Sequence, residues 1–106
     1  MTNSTQAPTV WTNCTMQSFY GDSRTMDTTD CEVKVSSDGS ILVDWEDEQG
    51  QHQIYTGSEV GDGHFDLKAN GGVDKMSLHR FPNGLTLDGR WVEDGDEGML
   101  TIFLGD

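Results

Sequence analysis

Arg80 is the most pointed candidate for chemistry in this sequence. Only six basic residues stand against nineteen acidic ones, and Arg80 continues the alternation of Met76 and Leu78. A cation on that apolar phase needs a carboxylate or an anionic ligand beside it, because an unpaired buried charge is costly. His52 and Thr56 share the inward phase if Ile54 marks the interior of its strand. Trp45, Phe65 and Trp91 supply aromatic surface on the same side. Together Trp45, His52, Thr56, Phe65, Arg80 and Trp91 form the candidate ligand-binding set, with polar anchors near strand ends and an apolar body between them. Arg80 is expected at the mouth, receiving a polar or anionic head group. The competing reading is a strand-end arginine that reaches solvent and pairs with one of the many acids.

Other reactive types are present without the spacing that chemistry needs. His64 and His79 fall on neighbouring outward phases, and with Asp66 they could make a weak metal site; ordinary surface histidines are the simpler reading. The acidic runs 44–48 and 93–97 lack the calcium-loop spacing and its glutamate at position twelve. No G-x-S-x-G elbow exists, and no glycine loop suited to cradling phosphate. Cys14 and Cys31 sit on apolar phases, where a thiolate is disfavoured. A hairpin centred near Ser23 would bring the two cysteines opposite or near each other. A cross-strand disulfide and a pair of buried free thiols are then both open. No catalytic set, metal site or cofactor is assigned, and a non-enzymatic role is favoured.

The elements that must position these residues are marked by turn clusters at near-regular intervals. They include Ser37-Asp38-Gly39, Glu48-Gln49-Gly50, Gly61-Asp62-Gly63, Pro82-Asn83-Gly84 and Asp94-Gly95-Asp96. Between them, apolar and polar residues alternate, as in Cys31, Val33 and Val35 or Phe65, Leu67 and Ala69. This pattern predicts an all-β, antiparallel meander of about eight strands. A small closed up-and-down barrel of calycin-like type leaves no exposed edge; a two-sheet sandwich is the alternative. Asp38-Gly39 is expected to form a two-residue hairpin turn, and residues 22–30 a long loop. Residues 1–9 read as a flexible N-terminal tail and residues 10–106 as a single barrel domain. Trp45 and Trp91 are expected to be buried. Trp11, out of phase with Cys14 and Met16, is expected to be more exposed.

Composition narrows the partners. With a net charge of −13 and no Lys/Arg cluster, nucleic-acid and anionic-membrane binding are disfavoured. No run reaches the ~18–20 apolar residues of a membrane helix, and the first residues show no apolar leader. A soluble, cytoplasmic protein is therefore expected unless a signal peptide has been removed. The Gly89-Arg90-Trp91 step resembles, in general outline, the G-x-W of lipocalin-like and avidin-like ligand binders. In lipocalins that step lies on the first strand, so no family residue is carried over. The leading expectation is a barrel that binds a small apolar or amphipathic ligand. An acidic module that docks a basic protein comes second, and an enzyme is a distant third.

Overall fold

Turn chemistry decides which strands meet. At Asp94-Gly95 both residues take positive φ, 48° and 86°, the two-residue geometry that matches strand twist. Glu93 and Asp96 pair directly across it. The turn at Asp38-Gly39 is one residue longer than expected, because Gly39 is left-handed and Asp38 is not. Ser36 donates to the Ser40 carbonyl at 2.9 Å, closing a three-residue loop. Asp47 and Gln51 close the Glu48–Gly50 loop in the same way at 2.8 Å.

The computed structural model describes residues 8–21, 26–70 and 72–105. Its strands are β1 (Thr9–Tyr20), β2 (Met26–Val35), β3 (Ser40–Glu46), β4 (His52–Gly61), β5 (His64–Ala69), β6 (Lys75–His79), β7 (Thr86–Glu93) and β8 (Asp96–Phe103). Each strand pairs antiparallel with the next, and β8 returns to β1 from Thr15↔Phe103 to Tyr20↔Gly98. The sheet is thus a closed eight-stranded barrel, and the sandwich alternative is set aside. Among the described residues there is no helix, and so none long and apolar enough to cross a membrane. Of the tail expected over residues 1–9, residues 1–7 lie outside the described residues, and Thr9 already opens β1.

Period-two alternation places one face of every strand inside. Val33, Ile41, Val43, Leu67, Leu78, Leu87, Leu100 and Ile102 are buried and fill the middle of the barrel. An eight-stranded barrel has only enough interior for such a packed core or one small ligand. Branched residues opposite one another therefore plug the waist, and the recesses lined by Phe65 and by Trp91 lie toward the two ends.

Four local expectations are corrected. Residues 26–30 are strand rather than loop, because Met26 to Asp30 pair in register with Phe19 to Thr15. Trp91 is buried and Trp11 less so, as expected, but Trp45, expected to be buried, is only partly buried against the core, like Trp11. A register irregularity between Trp11 and Cys14 leaves both Thr12 and Asn13 exposed, so Trp11 and Cys14 share the inner face although they are three residues apart. A bulge has this effect, since one extra residue inverts the alternation beyond it. On β4 the inward residue is Tyr55, not Ile54. Val43↔Tyr55 and Trp45↔Gln53 lie opposite each other, and opposite residues share a face. The length of the β3–β4 loop sets that register, and a one-residue difference in register exchanges the two faces.

Candidate ligand site at one barrel end

The parity of β4 removes two of the expected ligand contacts. His52 and Thr56 are exposed on the outer wall. His52 Nδ1 lies 2.8 Å from Asp44 Oδ1. That hydrogen bond, with the carboxylate charge second, holds the His52 pKa above its ordinary value. The other four residues separate to opposite ends of the barrel. Phe65 and Arg80 line a recess of about 280 Å³ beside the β2–β3, β4–β5 and β6–β7 connections. Trp45 and Trp91 line another, of about 160 Å³, beside the β3–β4 and β7–β8 turns. The single aromatic cavity expected from parity is therefore divided by the packed waist.

At its end, Arg80 is already engaged. Its Nε donates to the Gly84 carbonyl at 2.7 Å, and its guanidinium carbon lies 5.1 Å from the centre of the Trp11 ring. Glu59 and Asp62 line the same recess. The guanidinium thus has a carbonyl, an aromatic face and nearby carboxylates. The expectation of an anionic head group rested on an unsatisfied cation, and these contacts remove that reason.

The Trp91 end is built differently. Met16, Ser18 and Tyr20 of β1, Asp27 and Thr29 of β2, Trp45 of β3, Met76 of β6, Trp91 and Glu93 of β7, and Leu100 of β8 line its recess. Trp91 is only 7% exposed. Its indole fits because the residue opposite on β8 is Gly98: a Cβ there would lie 2.5 Å from the indole ring and would run into the Phe19 carbonyl oxygen. Tyr20 meets Trp91 edge to face, with ring centres 5.1 Å apart and planes at 87°. Trp45 stacks on Tyr55 at 5.2 Å with planes at 21°. Both geometries are favoured by the aromatic quadrupole.

Among the buried side-chain polar atoms of the described residues, one lacks a partner. The Tyr55 hydroxyl donates to Glu93 Oε2 at 2.7 Å, which ties β4 to β7 across the barrel. Burial first, then that hydrogen bond and the charges of Glu93 and Asp74, push the Tyr55 pKa well above the usual phenol range. The unpaired atom is Trp91 Nε1, which is buried and has no hydrogen-bond partner among the described residues. Leaving a buried donor unpaired costs about 1–3 kcal/mol; the nitrogen has almost no accessible surface, so a ligand's acceptor recovers that cost only when the side chains around it shift.

The remaining sequence candidates do not converge on either recess. His64 and His79 face each other across β5 and β6, with Nδ1 atoms 2.5 Å apart. Asp66 lies opposite Ser77 instead, and no group of three or more His, Cys, Asp or Glu among the described residues is placed to hold a metal ion. Cys14 and Cys31 are direct cross-strand partners and stand as buried free thiols. Burial, with Cys14 beside it, pushes the Cys31 thiol up to about 12, which makes it a poor nucleophile at neutral pH. Sequence reasoning missed Tyr20, Tyr55, Asp27 and Glu93. Tyr20 was legible as an aromatic beside a turn and Tyr55 as an aromatic within a strand; the carboxylates were hidden among many other acids. No family model, curated protein or solved structure matches this chain, so the site is read from its own geometry.

Proposed function

We propose that this chain is a non-enzymatic binding barrel that takes a small amphipathic ligand into the recess at the Trp91 end. The observation that carries the reading is Trp91 itself: a nearly buried indole, lining an aromatic recess, whose nitrogen lacks a partner. Aromatic walls with a few placed polar groups are the usual make-up of a small-molecule site. At about 160 Å³ the recess suits a small molecule or the head of a longer one. The test is ligand-observed magnetic resonance with a panel of small amines, alcohols and carboxylates. Binders should be found, and Trp91→Phe should weaken them while Arg80→Met leaves them unchanged. A panel without binders, or binders indifferent to Trp91→Phe, would refute the reading.

A second reading is supported by one feature of the outer wall. Met26, Phe19 and Met99 lie in register across β2, β1 and β8, and they are 46%, 40% and 68% exposed. A row of flexible apolar side chains on so acidic a molecule suits docking of a basic protein. Phe19→Ser would abolish such docking without altering small-ligand binding.

A further inference from the structure

Resting on the ligand reading above, we infer that the recess at the Trp91 end takes a small alkylammonium cation that also carries an oxygen acceptor. Its wall offers Trp45, Trp91 and Tyr20, the ring types whose faces attract ammonium groups most strongly. Among the described residues every charged side chain lining it is a carboxylate, Asp27 or Glu93. Glu93 is held by the Tyr55 hydroxyl. Asp27 is exposed, without a hydrogen-bonding or ionic partner among the described residues. Among the described residues an anion entering here would meet two like charges and no cation, whereas an ammonium meets aromatic rings and carboxylates together.

Size and polarity narrow the class. A volume of about 160 Å³ equals about five water molecules at their share of the liquid, the size of a fully methylated nitrogen. The Trp91 nitrogen is a donor without a partner among the described residues but with almost no accessible surface, so a hydroxyl or carbonyl oxygen on the same ligand pairs with it once neighbouring side chains shift to admit it. The surrounding field has the right sign. Asp47 and Glu48 in the β3–β4 loop, Asp74 before β6, and Asp94 and Asp96 at the β7–β8 turn all lie at this end. The Asp94 amide donates to Asp74 at 3.1 Å, linking two of these turns. Lys75, which opens β6 at the same end, is outnumbered by these acids, and a predominantly negative rim raises the local concentration of cations and speeds their capture.

The experiment compares three probes of nearly the same shape by calorimetric titration of the full chain: choline, its neutral isostere 3,3-dimethyl-1-butanol, and the anion 3,3-dimethylbutyrate. Choline should bind about tenfold more tightly than the neutral alcohol, and butyrate least. Choline affinity should fall about fivefold in Asp27→Asn and fall again as salt is raised. Asp27 is at the surface, so that variant keeps the fold; Trp45→Leu, checked for folding by circular dichroism, should abolish the preference for choline over the alcohol. Equal binding of choline and alcohol would overturn the cation inference and leave the ligand reading standing. Failure of all three probes, together with an empty result from the wider panel, would overturn both.

Discussion

Trp91 lies over Gly98, edge-on to Tyr20, with its nitrogen unpaired. Packing and function meet in this one side chain, and the two can be separated. Trp91→Ala should destabilise the barrel by about 3–5 kcal/mol, as for other buried large-to-small changes, measured by urea unfolding. Gly98→Ala should also destabilise, because the new methyl conflicts with both the indole and the β1 backbone, and strained overpacking costs about 1–3 kcal/mol. His52 gives a cleaner electrostatic test away from the site. Its pKa is raised from 6.5 by Asp44, so its contribution is complete below 6.5 and is lost as pH rises through the higher folded value. Titration by magnetic resonance should find His52 above 6.5, and Asp44→Asn should return it toward that value.

At the level of elements, the barrel was legible because alternation and turn residues agree over most strands. Both signals come from local chemistry, the period-two pleat and the left-handed glycine. Failures occurred where a long-range constraint decides. In β4 the sequence offers Ile54 or Tyr55 to the core, and the pairing with Val43 and Trp45 settles the choice. In β1 the bulge at Thr12 and Asn13 cannot be read from alternation, and it alone brings Trp11 inside to meet Arg80. Deleting Thr12 should remove the bulge and leave Trp11 and Cys14 two residues apart, on the same inner face by simple alternation. The expected result is an unchanged tryptophan emission and a retained fold, whereas inserting a further residue after Thr12, beside the existing bulge, should expel Trp11 and red-shift the emission; an unshifted spectrum in the insertion variant would show that the bulge does not position Trp11. The candidate site was half legible: its two tryptophans were found, but parity could not say that the waist separates them from Phe65 and Arg80.

The whole molecule carries a net charge of −13. Two ion pairs, His52–Asp44 and Arg90–Glu97, occur among the described residues; their side chains are largely exposed except that of Asp44, which is half-buried. Exposed pairs contribute little, whereas repulsion among so many like charges opposes the compact state. Repulsion therefore outweighs the loss of pairing when salt is added, and the melting temperature should rise from low to physiological ionic strength. A fall would mean that specific ion pairs dominate.

The same negative field surrounds the Trp91 recess, and this is where charge and fold converge on function. The most direct measurement follows the indole signals in a nitrogen–proton correlation spectrum during addition of choline, with assignments from single Trp→Phe variants. The expected result is a saturable shift of the Trp91 and Trp45 indole signals, Trp91 moving downfield as its nitrogen gains an acceptor, while Trp11 at the opposite end stays in place. Unmoved Trp91 and Trp45 signals, or a shift confined to Trp11, would contradict the assignment of this recess as the binding site.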